Sequence, residues 1–286
     1  MRRARPQGSM IQSLKLAQQP QEKALPSTVR SMGPVSEQVE PTADLEEVPV
    51  KEIQIDPPSR IVFHTDPRGL AADRFRFLRM RIRERSNAGK LQTILITSAQ
   101  PQDGKSTVSL NLATALAERG QNPVLLLEGD LYHPTLAERL GLNAGPGLAE
   151  CLASGTHPFS AIRKLTPLEW YLLPAGGEMP NPSELLHGDR LAQLMRIVTP
   201  HFKWIVMDSP PVAPIADALA LARYADVSFL VVRAGVTPGH AVDAAVEALG
   251  PKHVMGVILN GVEGLHRLYS KYNKYYVPGS TEKQRR

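Results

Sequence analysis

Five short segments are apolar almost throughout: Thr93–Thr97, Pro123–Leu127, Trp204–Met207, Val227–Val232 and Met255–Leu259. Trp170–Leu173 is a candidate sixth. Such brief runs without alternation are the pattern of strands buried on both faces. Between them apolar positions recur at helical spacing over Lys105–Arg119, Leu185–Val198, Ile215–Arg223 and Gly239–Leu249. Ahead of the first strand, Leu70–Asn87 reads as an arginine-rich helix stopped by Asn87-Ala88-Gly89. Strands and helices in alternation predict one doubly wound α/β domain with a parallel sheet covered on both sides, over residues 59–276. No internal repeat is visible.

The pattern fails over residues 1–58. Gln, Pro, Ser, Glu and Val dominate there, and Phe, Trp and Tyr are absent. Such a segment cannot bury enough surface to offset its ordering entropy, so it is expected to be a disordered tail. It also explains why 25 prolines and an apolar share of only 42% accompany a domain-sized pattern. Residues 277–286 read as a basic, flexible end. The single cysteine, Cys151, excludes an internal disulfide and fits a reducing compartment. No apolar run approaches the ~20 residues that span a bilayer, so a cytoplasmic protein is expected. The net charge of +5 is modest, and nucleic acid is not an expected partner.

Candidate chemistry begins where the first apolar run breaks. Thr97-Ser98-Ala99-Gln100-Pro101-Gln102-Asp103 leads into Gly104-Lys105-Ser106-Thr107, and a helical pattern follows. Strand, turn and helix in that order make a P-loop, in which backbone N–H groups and a helix N-terminus face phosphate oxygens. Lys105 would reach the β/γ-phosphates of ATP, and the Ser106 hydroxyl would sit on Mg²⁺. The full pattern wants a glycine where Ala99 stands. Gln102, Asp103, Gly104 and Thr107 complete the candidate nucleotide loop.

Two further strands end in acids. Val124–Leu127 runs into Glu128-Gly129-Asp130, and Trp204–Met207 into Asp208-Ser209-Pro210-Pro211. An acid after a strand often only caps a turn. Behind a Gly-Lys-Ser-Thr loop the pair gains meaning, because Mg²⁺ needs few protein ligands and keeps several waters. Ser106, Asp130 and Asp208 form the candidate metal set.

These motifs together resemble the bacterial tyrosine kinases of capsule and exopolysaccharide synthesis, P-loop proteins unrelated to eukaryotic kinases. Asn111-Leu112-Ala113, Asn181-Pro182-Ser183-Glu184-Leu185-Leu186 and Asp208-Ser209-Pro210-Pro211 extend the likeness over residues 60–276. The family pattern Asp-x-Asp-Leu-Arg-Arg-Pro stands here as Glu128-Gly129-Asp130-Leu131-Tyr132-His133-Pro134, and Gln102 takes a place usually held by glycine. The resemblance implies an ATP- and Mg²⁺-dependent protein-tyrosine autokinase with Lys105, Glu128, Asp130 and Asp208 as catalytic residues. It puts Asn260 near the adenine base, although that residue could simply terminate its strand. It implies a homo-oligomer, a ring in form, through Asp73, Arg76 and Arg79. On spacing alone those three share a helical face and could equally pair within the helix. It further implies a transmembrane chain-length (co-polymerase) partner, a cognate tyrosine phosphatase and a location at the inner membrane face.

Tyr269, Tyr272, Tyr275 and Tyr276 are four of the chain's seven tyrosines. Positions 269, 272 and 276 share a helical face, so a packed helix is one reading and a stacking platform for single-stranded nucleic acid another. The resemblance makes them phosphoacceptors. Four phosphates would add roughly −6 to −8 charges and reverse the sign of this end. Two other functions compete. A partition or cell-positioning ATPase would share the loop, but usually carries a second lysine where Gln100 stands. A scaffold that has lost transfer activity would account for Glu128 and Gln102.

Overall fold

The computed structural model describes residues 45–262, apart from 57, 58, 88, 90, 144, 214 and 215. The tyrosine cluster and both chain ends therefore lie outside the described residues. A 3-10 turn at Leu45–Glu47 is followed by β1 (Val50–Glu52), α1 (Val62–Thr65) and α2 (Leu70–Asn87). The nucleotide-loop unit is β2 (Thr93–Ser98), α3 (Lys105–Ala117) and β3 (Val124–Glu128). Next come α4 (Leu136–Arg139), α5 (Leu148–Ser154), α6 (Pro158–Ala161), β4 (Arg163–Thr166) and β5 (Trp170–Leu173). The rest is α7 (Pro182–His187), α8 (Asp189–Val198), β6 (Trp204–Asp208), α9 (Asp217–Ala222), β7 (Val227–Arg233), α10 (Gly239–Leu249) and β8 (Val254–Asn260).

One eight-stranded sheet holds the order β1-β4-β5-β3-β6-β2-β7-β8. Every neighbouring pair is parallel except β4 with β5. The five apolar runs and Trp170–Leu173 are all strands. Side chains of successive residues enter opposite cores: Leu95, Leu125, Leu127, Ile205 and Met207 pack with α5–α10, while Ile94, Ile96, Leu126, Trp204 and Val206 pack with α2 and α3. That division explains why these strands read as unbroken apolar runs.

Three features differ from the sequence expectation. Val50–Glu52, assigned by composition to the disordered tail, pairs with β4, and Val48 and Ile53 beside it are buried. This strand's own three residues are exposed, so it carried no apolar signal. The expected helix Leu185–Val198 is two helices broken at Gly188, whose extended backbone (ψ 167°) cannot continue a helix. The antiparallel β4–β5 pair was not foreseen, because Arg163-Lys164-Leu165-Thr166 alternates weakly.

α3 lies under β2, β3 and β6 and is covered by α2, so even the polar Ser106, Ser109 and Asn111 are buried. Asn111 is satisfied there: it donates to the carbonyls of Arg60 and Thr107 and accepts the Val62 N–H. Cys151 is buried in α5; burial, with Glu150 adjacent, pushes its thiol up to about 11, which leaves it protonated and inert. No helix among the described residues is long and apolar enough to cross a membrane. Ile82 of α2 is fully buried against the α3 face, whereas Phe77 is 55% exposed. In urea titrations Ile82→Ala is expected to cost about 2–5 kcal/mol, and Phe77→Ala no more than about 0.5 kcal/mol.

Candidate functional site

The site is built at the carboxyl edge of the three central strands, where open α/β sheets bind ligands. β2 delivers the loop 99–104. Gln102 stands at φ 65° and Gly104 at φ 97°, two left-handed residues that turn the chain into α3. Space is tight at Gly104 as well: a Cβ would meet Asn260 Nδ2 at 2.0 Å and displace that side chain from Asp103. Asp103, nearly fully buried, fixes the turn: its carboxylate accepts from Gln100 N (3.0 Å) and the Thr237 hydroxyl (2.6 Å), and its carbonyl accepts from Asn260 Nδ2 (2.9 Å). Asn260 is the last residue of β8, so it both terminates that strand and ties it to the loop.

Two acids converge on the start of α3. Lys105 Nζ pairs with Asp130 Oδ2 at 3.0 Å, with side chains 15% and 4% exposed. The other oxygen of Asp130 accepts the His133 N–H at 3.0 Å. Asp208 is bonded by the hydroxyls of Ser109 (3.0 Å) and Ser106. Burial pushes its carboxyl up to about 6; Lys105 and Ser106 oppose the rise, Glu128 adds to it and Ser109 opposes it. Gly129 lets the two acidic strand ends meet: its N–H donates to Asp208 O at 2.7 Å, and a Cβ would lie 2.6 Å from Leu221 Cδ1.

Glu128 is placed differently from the expectation. It stands opposite Asp208 in the β3–β6 register, but its carboxylate is taken up by backbone amides. Oε1 accepts Thr135 N (2.7 Å) and Leu136 N (2.6 Å), and Oε2 accepts Ala175 N (3.1 Å). Burial raises its carboxyl, the three amides oppose that, and Asp130 adds to it.

The loop, Lys105, Ser106, Asp130 and Asp208 are thus brought together. Among the described residues no group of three or more His, Cys, Asp and Glu could hold a metal by itself. Hard oxygens from Ser106, Asp208 and Asp130 nevertheless suit Mg²⁺, which takes part of its shell from water and phosphate. Away from this edge, Asp73 and Arg76 pair within α2 at 2.6 Å, while Arg79 turns to α3, donating to Ala115 O and pairing with Glu118. Sequence reasoning missed Ser109, Thr237 and Arg139, whose Nη1 donates to the Thr107 hydroxyl at 3.0 Å. Ser109 was within reach, being one turn beyond Ser106. Thr237 and Arg139 meet the loop only through the fold.

No family model matches the chain. Tyrosine-protein kinase YwqD of Bacillus subtilis (strain 168) is 30% identical over 224 residues, covering 78% of this chain and 92% of YwqD. The chain belongs to the bacterial tyrosine-protein kinases. The kinase domain of Escherichia coli tyrosine kinase ETK superposes on this kinase fold with a TM-score of 0.67 at 29% identity, over 71% of this chain and 80% of that domain. Succinoglycan biosynthesis transport protein ExoP of Rhizobium meliloti (strain 1021) is 31% identical over 235 residues, 77% of this chain but only 30% of ExoP. The septum site-determining protein MinD of Pyrococcus horikoshii OT3, complexed with Mg-ADP, shares the fold alone (TM-score 0.51, 23% identity, 59% of this chain and 70% of that one).

Two tests address the site of this kinase-family chain. Asp208 holds its proton more tightly folded than at its ordinary 3.8, so it lowers the stability of the metal-free protein as pH rises from about 4 to about 6, by about 3 kcal/mol. In urea titrations with chelator, Asp208→Asn is expected to gain stability relative to wild type across that window and hold the gain at pH 7; a flat difference would mean that Asp208 titrates normally. Gln102→Gly removes a left-handed side-chain residue, and a gain of roughly 1 kcal/mol is expected in the same measurement.

Proposed function

We propose that this chain is an ATP-dependent protein-tyrosine autokinase that regulates the synthesis or export of a polysaccharide. The observation that carries the reading is Lys105 set between the buried carboxylates Asp130 and Asp208 behind a phosphate-type loop, in a chain of the tyrosine-kinase family. Loop amides and the N-terminus of α3 bind the phosphates of ATP. Lys105 leaves Asp130 to neutralise charge on the β/γ-phosphates. Ser106, Asp130 and Asp208 would hold Mg²⁺, which when bound supplies charge neutralisation to the phosphates. A tyrosine hydroxyl then attacks the γ-phosphorus, the bond to the β–γ bridging oxygen breaks, and ADP carries that electron pair away. The phenol proton passes to Asp130, two residues past β3, whose carboxylate, unlike that of Glu128, is not consumed by a cluster of amides. Catalysis in this scheme is positioning plus electrostatics.

The acceptors are Tyr269, Tyr272, Tyr275 and Tyr276 of a neighbouring copy, and Asp73, Arg76 and Arg79 contribute to the contact between copies. Arg76 and Arg79 would exchange their present partners for groups of the neighbour. The name and length of ExoP support a partner chain in polysaccharide transport, a transmembrane co-polymerase that would bring this protein to the inner face of the membrane. A tyrosine phosphatase would reset the tail.

The test is incubation of the purified protein with Mg·ATP, followed by phosphotyrosine detection and mass-spectrometric site mapping. Phosphate on the four terminal tyrosines, reduced at least 100-fold by Lys105→Met, is expected. ATP hydrolysis without phosphotyrosine would favour a MinD-like switch, and neither signal a scaffold.

A further inference from the structure

Glu128 and Arg139 form the ends of one chain of contacts that the proposed reaction does not use. The Glu128 side chain is buried at the end of β3, where an unpaired carboxylate would be costly. It spans from that strand end to the first residues of α4 and to Ala175 beyond β5, through three amide N–H groups. Two of those amides, Thr135 and Leu136, open α4, a single turn too short to hold its own orientation. Arg139 is the last residue of that turn, and its guanidinium donates to Thr107, in the first turn of α3. Leu136 and Leu140 anchor the same turn in the core below.

We propose that Glu128 is a positioning residue that straps α4 in place, so that Arg139 braces the nucleotide loop at Thr107 and adds a second positive charge beside the phosphates. The extra methylene of glutamate, relative to the aspartate of the family pattern, supplies the reach. Glu128 thereby becomes structural, and the metal is left to Asp130, Asp208 and Ser106. Arg139 becomes a nucleotide-binding residue supplied from outside the loop. This rests on the reading of residues 99–107 as a nucleotide site.

The experiment measures ADP affinity with a fluorescent ADP analogue, with and without Mg²⁺, together with amide hydrogen exchange over residues 133–141 and 174–178. Arg139→Ala is expected to weaken binding about three- to tenfold, the scale of one charge-assisted contact. Glu128→Asp keeps the charge but loses reach, so exchange in both segments should accelerate and affinity should fall by a similar factor. Glu128→Gln keeps an oxygen for Thr135 and Leu136. It should therefore protect the first segment better than Glu128→Asp and retain the Mg²⁺ enhancement within about threefold, giving a second reading should the aspartate variant fold poorly. In the Glu128→Asp/Arg139→Ala double variant the losses should not multiply, because both act through one contact.

The proposal is overturned if Arg139→Ala binds like wild type, if the double-variant losses multiply, or if Glu128→Gln loses the Mg²⁺ enhancement tenfold or more. It is also overturned if Glu128→Asp exchanges like wild type. A wild-type protein that binds no nucleotide would instead remove the underlying reading of the loop.

Discussion

Four ionisable side chains, Lys105, Glu128, Asp130 and Asp208, are buried or nearly so at one edge of a sheet, and the domain must satisfy all of them. Removing one partner of the Lys105–Asp130 pair typically costs about 3–5 kcal/mol, because the other is left uncompensated. The fold meets the demand in three ways. Asp130 has a lysine, Glu128 has three amides, and Asp208 has two hydroxyls and a raised affinity for a proton. Only the second is permanent; the other two leave groups that a nucleotide and a cation can claim.

The surroundings make this edge rigid. Asp103 is bonded on both carboxylate oxygens and on its carbonyl, by residues from three separate segments. Gly104 leaves room for the Asn260 side chain, and Gly129 lets the Asp208 backbone and Leu221 approach more closely than a side chain would permit. Below them both faces of the sheet carry a continuous core, so the strand ends cannot shift independently. Binding geometry is therefore set by the scaffold, and the groups left to rearrange are side chains.

The central strands were legible in the sequence because burial on both faces writes an unbroken apolar run. The edge strand Val50–Glu52 was not, since its residues stay exposed and its partner lies over a hundred positions away. The break at Gly188 hid inside a single amphipathic pattern that two consecutive helices happen to continue. At the site, Lys105, Ser106, Asp130 and Asp208 could be named from motif order, because each follows a strand or opens a helix. The destination of the Glu128 carboxylate could not. Its partners are backbone amides, which carry no residue signature, and the same holds for the Asp103 carbonyl that holds Asn260. The strain at Gln102 was foreseeable, because the family keeps glycine there.

The Lys105–Asp130 pair also bears on how the pocket takes up its ligands. The lysine already has an anion in Asp130, so an incoming phosphate offers it a substitute, and the exchange strands Asp130 without a countercharge. A divalent ion arriving with the nucleotide would remove that deficit at once. Free nucleotide and free metal should each find the protein indifferent, and the two together should find it receptive. The pocket would thus admit its ligands as a neutralised couple, a form of selectivity set by electrical balance and not by shape.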